Sequence, residues 1–206
     1  MVKINTCVFI SGKGSNLKNL IIHSRNKSFP IRISLVISNN KKAYGINYAK
    51  KYKIPFFFIN TKLQNYENKI LLNFRKYNIS FICLAGYMKI IPSNLIRKYK
   101  KRIINIHPSL LPKFKGLNTF SRMLKNNEKK GGCTVHYVNE KLDSGSTIIQ
   151  KMFAINNKDD ELSLMKKTQK LEHKAYPEAI IKIFRKFYLL KKNFISFFAL
   201  SVESEP

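Results

Sequence analysis

Short apolar runs rich in β-branched and aromatic residues alternate with longer amphipathic stretches along the chain, and this alternation most constrains its fold. Seven runs are typical of strands, at residues 7–10, 33–37, 56–59, 81–84, 102–106, 133–138 and 147–153. The stretches between them, such as residues 64–77, are typical of helices. Strands that alternate with helices favour an α/β fold with a mainly parallel, twisted sheet and helices on both faces.

The last helix is predicted to begin near Asp159 and to run to residue 184, because acidic residues suit a helix N-terminus. Pro177 lies inside it and is expected to interrupt or kink it. The apolar segment 194–200 has no interpretation. No repeat, linker or low-complexity block divides the chain, so we expect residues 1–206 to form a single domain.

The charge is strongly positive, with 39 Lys and Arg against 11 Asp and Glu, for a formal net charge of +28. Such a balance is typical of proteins that bind nucleic acid. The cations are nevertheless spread over the whole chain, beside abundant Asn, Ile, Tyr and Phe, as a bias toward AT-rich codons would produce. We favour compositional drift over a functional basic surface, and we do not expect specific nucleic-acid binding.

Cysteine usage and hydropathy indicate a cytoplasmic protein. Three cysteines, far apart and without a C-x-x-C pair, predict neither a disulfide framework nor a zinc knuckle. No apolar run reaches the ~20 residues of a membrane span, and the first residues do not resemble a signal peptide. We therefore expect no membrane partner.

The segment S-G-K-G-S-N-L, at residues 11–17, follows the first predicted strand and opens a helix. It is not a Walker loop, and Leu17 stands where the third glycine of a dinucleotide fingerprint would be. A single phosphate held by Gly14, Ser15 and Asn16 suits these residues, because a helix N-terminus attracts anions. An ordinary glycine-rich β–α turn is the alternative.

Two more segments carry polar residues where strands end. In N-I-H-P-S-L-L-P, at residues 105–112, Asn105 and His107 share one face of a strand, and ligands of α/β sheets bind at carboxyl ends of strands. The other segment is C-T-V-H-Y-V, at residues 133–138, followed by a turn that contains Asp143. That carboxylate, taken alone, is more typical of a simple β-turn.

Taken together and in this order, the three segments resemble the phosphoribosylglycinamide formyltransferase family, folate-dependent enzymes of purine synthesis. The resemblance runs from about residue 4 to about residue 183 and includes V-I-S-N at 36–39, L-A-G-Y-M at 84–88 and L-E-H-K-A-Y-P at 171–177. H-P-S-L-L-P and D-x-G are shared with other formyl-folate enzymes, whereas G-S-N and E-H-x-x-Y-P are typical of the glycinamide ribonucleotide branch. The resemblance implies a Rossmann-like formyltransferase fold, with the phosphate on the side of the N-terminal half and the folate on the side of the C-terminal half.

The resemblance also implies the site residues. The catalytic group is Asn105, His107 and Asp143, and no metal is required. The substrate-binding set is Gly14, Ser15, Asn16 and Glu172; the folate-binding set is Met88, Lys89, Ile90, Ile91, Glu140, Lys141 and Leu142; the supporting pair is Thr134 and His136. Lys89 stands where the family often has Arg, and Phe120 where it often has His, two departures that would weaken contacts with the folate or the phosphate.

Formyl transfer explains these residue types. Attack of an amine on the formyl carbon creates a negative oxygen and a positive nitrogen. A protonated His107 and the Asn105 amide can donate to the oxygen, while Asp143 holds the imidazolium charged and relays the proton to the departing folate nitrogen. His107, His136 and Asp143 could instead bind zinc, but their spacing matches no zinc motif.

Three functions are therefore weighed. The first is transfer of a formyl group from 10-formyltetrahydrofolate to glycinamide ribonucleotide, by a monomer or homodimer. The second is another formyl-folate enzyme, either formyltetrahydrofolate hydrolase or aminoacyl-tRNA formyltransferase, both of which usually carry an additional domain. The third is a basic nucleic-acid-binding protein on a decayed transferase fold, which would be expected to lose the catalytic residues. We favour the first.

Overall fold

The computed structural model describes the backbone of residues 2–202 and the side chains of residues 2–185. Strands and helices alternate through most of it, as predicted. The strands are β1 (Ile4–Ile10), β2 (Ile31–Ser38), β3 (Phe56–Phe58), β4 (Phe81–Leu84), β5 (Ile103–His107), β6 (Lys130–Tyr137) and β7 (Thr147–Ala154). The helices are α1 (Ser15–Ser24), α2 (Gly45–Lys51), α3 (Tyr66–Lys76), α4 (Ser93–Lys98), α5 (Thr119–Lys125) and α6 (Glu161–Val202).

The strands form one sheet in the order β3-β2-β1-β4-β5-β6-β7. The first five strands in this order are parallel, and β6 and β7 are antiparallel to their neighbours. The mainly parallel sheet predicted from the sequence is therefore confirmed. The chain moves outward from β1 to β3 and then crosses to β4 on the other side of β1. The carboxyl ends of β1 and β4 thus flank a topological switch point, where ligands of such sheets bind.

Helices cover both faces of the sheet, also as predicted. Successive side chains of β1 point to opposite faces: Val8 and Ile10 join a core with α1, α2 and α6, whereas Cys7 and Phe9 join a second core with α3 and α4. Burial on both faces explains why the central strands have continuous apolar sequences rather than alternating ones.

Strand ends differ from the prediction by up to three residues. Strand β6, for example, begins at Lys130 rather than Cys133. Its first residues carry no apolar signal, but Lys130, Gly131 and Gly132 pair with the end of β7. The close approach of β7 also requires glycine at residue 132, because a Cβ atom there would lie 2.1 Å from the carbonyl oxygen of Lys151.

Pro177 lies inside helix α6 and does not interrupt it, although an interruption or a kink was expected there. A proline has no N–H, so the carbonyl of His173, four residues earlier, loses its helical donor. The side chain of Asn19 in α1 donates to this carbonyl instead, at 2.8 Å. The helix also extends past the predicted end at residue 184, and the side chains of the apolar segment 194–200 lie outside the described residues. Within the described part of the chain, no helix has the length and apolar character needed to cross a membrane.

Candidate active site

A cavity of about 810 Å³ opens at the carboxyl ends of β1, β4 and β5. Its walls come from the loops that follow these strands, from the β6–β7 connection and from one face of α6. It is lined by every residue assigned to the site from the sequence except Thr134, which is buried. Residues more than 150 positions apart in the chain thus line one cavity, because all of them lie where the carboxyl ends of the central strands meet.

Asp143 lies at the centre of a cluster of polar side chains. Its Oδ2 lies 3.4 Å from Nδ1 of His107 and accepts a hydrogen bond of 2.9 Å from the N–H of Gly116. Its Oδ1 lies 3.5 Å from Nδ2 of Asn105 and 3.7 Å from Nε2 of His136. Asp143 has a φ of 45°, in the left-handed region that Asp tolerates in turns, and its carboxylate makes these contacts in addition. The carboxylate is therefore more than a turn former.

His107 is nearly buried, and both of its ring nitrogens face acceptors. Nε2 lies 2.9 Å from the carbonyl oxygen of Phe114, so Nε2 carries a proton and donates. Nδ1 faces the Asp143 carboxylate. An imidazolium satisfies both partners, whereas a neutral ring would place a nitrogen lone pair against the carboxylate. Before His107 can donate to a substrate through Nε2, this hydrogen bond to Phe114 must be exchanged.

His136 is neutral in this cluster and fixes the Asn105 amide. Its Nδ1 donates to the carbonyl of Tyr137 at 2.8 Å, and burial lowers the pKa of the ring. Nε2 is then left with a lone pair, which accepts from Nδ2 of Asn105 at 3.2 Å. His136 therefore turns the amide so that its N–H groups face His136 and Asp143.

Thr134 lies behind the cavity wall and holds the loop that follows β5. Its hydroxyl donates to the carbonyl of Ser109 at 2.6 Å and accepts from the N–H of Leu111 and from Nε2 of Gln150, both at 3.0 Å. Gln150 also donates to the carbonyl of Leu111. The sequence assigned no role to Gln150, because its partners come from a different strand and a loop.

Replacing Thr134 by Val should lower the stability of the fold. The change preserves shape but leaves three hydrogen-bonding groups without their partner, at a cost of roughly 2–3 kcal/mol. For a chain of this size we expect the melting temperature to fall by roughly 5–10 °C. Thermal unfolding followed by circular dichroism would measure it, with Thr134→Ser as the control that keeps the hydroxyl. A melting temperature unchanged in Thr134→Val would contradict the role of this network.

The loop between β1 and α1 presents a helix N-terminus to the cavity. Gly14, with a φ of 74°, is the N-cap residue, and neither a capping side chain nor an acidic residue occupies the first turn. The first N–H groups of α1 therefore remain available to an anion. Gly14 also packs closely against α2, since a Cβ atom there would lie 2.5 Å from Cα of Gly45. Both its conformation and its contact require glycine.

Glu172 of α6 contacts this loop directly and lines the cavity beside it. Asn16 donates to Oε2 of Glu172 at 2.8 Å, and burial raises the pKa of the Glu172 carboxyl to about 7. Within the described side chains, Oδ1 of Asn16 and Oγ1 of the nearby Thr168 are buried without a hydrogen-bond partner. Buried polar atoms of this kind normally have partners, so this wall offers unused donors and acceptors to a ligand.

The raised pKa of Glu172 predicts a pH dependence of stability. Its folded-state pKa, about 7, lies above the ordinary value of 4.5, so the folded protein holds this proton more tightly than the unfolded chain. The resulting stabilisation is complete below about pH 4.5 and is lost as the pH rises through 7. A Glu172→Gln variant should therefore gain stability relative to the wild type between these pH values, by on the order of 2 kcal/mol.

Urea denaturation at several pH values would measure this gain. Glu178→Gln, which changes an exposed glutamate on the same helix, is the matched control. If the difference in free energy of unfolding between Glu172→Gln and the wild type stays constant with pH, Glu172 does not titrate in this range.

Another part of the cavity wall is apolar and exposed. Met88, Ile90, Leu117 and Leu142 each leave 60% or more of their surface accessible, and all four line the cavity. Large apolar side chains exposed together mark a surface that binds a ligand. Lys89 and Phe120, the two departures from the family pattern, also lie in the cavity wall. Among the described residues, no group of three or more His, Cys, Asp or Glu side chains is arranged to hold a metal ion.

A sequence model described as formyl transferase matches residues 4–180 of the chain, most of its length. The chain is 35% identical over 196 residues to a phosphoribosylglycinamide formyltransferase of Haemophilus influenzae, covering 92% of this chain and 91% of that protein. A crystal structure of the phosphoribosylglycinamide formyltransferase from Anaplasma phagocytophilum is similar with a TM-score of 0.82 and 38% identity, over 87% of this chain and 85% of that one.

Longer proteins also contain a similar region. The chain is 39% identical over 179 residues to the trifunctional purine biosynthetic protein adenosine-3 of Drosophila melanogaster. This similarity covers 84% of the chain but only 13% of the Drosophila protein.

Proposed function

The chain belongs to the formyl transferase family, and from this we propose that it transfers a formyl group from 10-formyltetrahydrofolate to the amine of glycinamide ribonucleotide, in purine biosynthesis. The observation that carries the proposal is the cluster of Asn105, His107 and Asp143 at the switch point, between an uncapped helix N-terminus and an exposed apolar wall. One side suits a phosphate and the other an aromatic ring system. The reacting groups would then meet beside Asp143.

The ribonucleotide is assigned to the α1 side of the cavity. Its phosphate would accept from the N–H groups of Gly14, Ser15 and Asn16, with support from the partial positive charge of the helix N-terminus. Its glycinamide end would reach Glu172 and the unpaired Oδ1 of Asn16. An ionised Glu172 would attract the substrate amine, which links ribonucleotide binding to the pH range in which this carboxyl titrates.

The formyl-folate is assigned to the segment Met88–Ile91 and to the loop Glu140–Leu142. The exposed side chains of Met88, Ile90 and Leu142 would cover the apolar faces of the pteridine ring. The backbone of both segments would supply hydrogen bonds to its edge. An ion pair of 3.1 Å between Arg97 and Glu140 supports the second segment.

The chemistry is a direct attack without a covalent intermediate on the protein. The amine nitrogen forms a bond to the formyl carbon, and the carbonyl oxygen becomes negative in the tetrahedral intermediate. His107 donates to this oxygen after its Nε2–H leaves the Phe114 carbonyl. Such donors are each worth ~3 kcal/mol of barrier in other enzymes. The Asn105 amide, turned by His136, is held beside the same centre.

Asp143 would transfer the proton from the amine to the folate nitrogen. The attacking amine loses a proton as the carbon–nitrogen bond to the folate breaks, and the departing folate nitrogen gains one. Asp143 would accept the first proton and return it to the folate nitrogen, directly or through a water molecule. Its hydrogen bond from Gly116 and its contact with His107 hold the carboxylate in the position from which it can do both.

A direct assay of formyl transfer would test the proposal. Purified protein, 10-formyltetrahydrofolate and glycinamide ribonucleotide should give tetrahydrofolate and the formylated ribonucleotide, measured by absorbance and by mass spectrometry. Parallel reactions with water alone and with aminoacyl-tRNA as the acceptor would detect the two other formyl-folate activities. Product formed only in one of those reactions would replace the proposal with that activity. We place the reaction in the cytoplasm, with these two small molecules as partners.

A further inference from the structure

Ser11, the first residue after β1, connects three strand ends through both its backbone and its side chain. Its N–H donates to the carbonyl of Gly86 after β4, at 3.1 Å. Its carbonyl accepts from Nδ2 of Asn40 after β2, at 3.0 Å. Ser11 is thus held between two neighbouring loops at the switch point.

The hydroxyl of Ser11 makes two further contacts, and their directions are defined. It accepts a hydrogen bond of 2.8 Å from the N–H of Met88. It donates, at 2.6 Å, to Oδ1 of Asn39. The acceptor on Asn39 therefore turns the hydroxyl so that its lone pairs face Met88. Asn39 itself does not line the cavity.

Met88 begins the segment assigned to the folate, and Ser11 begins the loop assigned to the phosphate. We propose that Ser11 is a positioning residue: its hydroxyl, oriented by Asn39, holds the folate-binding segment Met88–Ile91 against the phosphate loop. This inference rests on the proposed function, because it concerns the binding of the folate substrate. It assigns to Ser11 a role in folate binding although Ser11 lies on the phosphate loop.

Two properties of the site support this role. Met88, Lys89 and Ile90 are exposed, so little packing holds the first three residues of this segment, whereas Ile91 at its end is buried in the core with α3 and α4. Gly86, two residues before Met88, has a φ of 69°, so the segment leaves β4 through a turn that glycine permits. The bond from Met88 to the Ser11 hydroxyl is then a specific tie that sets where the segment lies.

The test compares binding of the two ligands by calorimetry, using tetrahydrofolate and glycinamide ribonucleotide separately. A Ser11→Ala variant should weaken tetrahydrofolate binding by about 5- to 10-fold, the effect of one lost hydrogen bond, and ribonucleotide binding by less than about 2-fold. Steady-state kinetics should show the same division, with a raised KM for the folate. Ser11→Thr, which keeps a hydroxyl, should restore much of the loss.

Asn39 separates positioning from direct contact, because it lies outside the cavity. Asn39→Ala should weaken tetrahydrofolate binding in the same direction as Ser11→Ala but less, and Asn39→Asp, which keeps the acceptor, should not. Ser34→Ala, at a half-buried serine of β2 away from the cavity, is the matched control for the loss of a hydroxyl. Melting temperatures of all variants would show that each is folded.

The outcomes distinguish this inference from the function on which it rests. If the wild type binds no tetrahydrofolate, both are overturned. If the wild type binds both ligands but Ser11→Ala weakens them equally, or weakens neither, only the role of Ser11 is overturned. Loss in Ser11→Ala with no effect of Asn39→Ala would also overturn the orienting role of Asn39.

Discussion

Replacing Asp143 by Asn should reduce kcat by on the order of 10²-fold or more while changing the binding of both substrates little. The amide keeps the shape of the carboxylate but has no negative charge, so it neither favours the imidazolium form of His107 nor accepts a proton. It also replaces one carboxylate oxygen by an N–H₂ group, so either the N–H of Gly116, which donates to Oδ2, or Nδ2 of Asn105, which faces Oδ1, loses its acceptor. The oxyanion donor and the proton acceptor are therefore weakened together.

A double-mutant cycle tests whether Asp143 and His107 act as a unit. His107→Ala removes the donor and should lower kcat by a similar factor. If the pair works as one, the double variant should lose much less than the product of the two single losses. Pre-steady-state turnover and the affinity for tetrahydrofolate would be measured in parallel. Strictly multiplicative losses would mean that the two residues act independently, and near-normal turnover in Asp143→Asn would remove this residue from the catalytic group.

The second large effect is expected at the phosphate loop. Ser15→Asp places a carboxylate in the first turn of α1, where it would compete with the substrate phosphate for the helix N–H groups and repel its charge. We expect KM for the ribonucleotide to rise by roughly 30-fold or more, whereas KM for the folate changes by less than about 3-fold. Ser15→Ala is the neutral control and should have a small effect on both.

Salt dependence gives the Ser15→Asp experiment a second readout. Because the added term is electrostatic and partly exposed to solvent, the difference between Ser15→Asp and Ser15→Ala should shrink as ionic strength rises. Equal increases in both KM values, or a difference that salt does not change, would mean that the phosphate binds elsewhere.

The arrangement of strands and helices could be read from the sequence because burial on two faces leaves a strong local signal. Val8, Phe9 and Ile82 belong to short runs with no polar interruption, a pattern typical of a strand covered on both sides. The ends of the strands were predicted less accurately. Lys130 and Gly131 belong to β6 only because β7 lies beside them, which is information that no local window contains.

Helix α6 illustrates the same limit at a single residue. A proline in a helical sequence predicts a break, and the backbone at Pro177 does lack a donor. Asn19, far away in the sequence, supplies a donor to the carbonyl of His173, and Ala175, Tyr176, Ala179 and Ile180 are buried in the core around the proline. Tertiary contacts thus accompany a helix that local propensity alone does not predict.

The candidate site was predictable through its motifs rather than through its geometry. Asp143 alone was best explained as a turn residue, and only the resemblance assigned it to the catalytic group. The partners that support the cluster, such as the carbonyl of Phe114, the N–H of Gly116 and the side chain of Gln150, lie in loops or on β7. Backbone N–H and carbonyl groups are present in nearly every residue, so the sequence does not show which of them support the site.

The links between α1 and α6 have a consequence for a chain during its synthesis. Asn16 donates a hydrogen bond to Glu172 and Asn19 donates one to His173, so two residues near the beginning of the chain have partners that are synthesised more than 150 positions later. A nascent chain that has already formed β1 and α1 still lacks one wall of its cavity and the acceptor for Asn19. N-terminal segments fold first during translation, but here they cannot complete the ribonucleotide side until helix α6 has been made. We therefore expect nascent chains shorter than this to gain less stability from the ribonucleotide proposed to bind there than the full-length chain does.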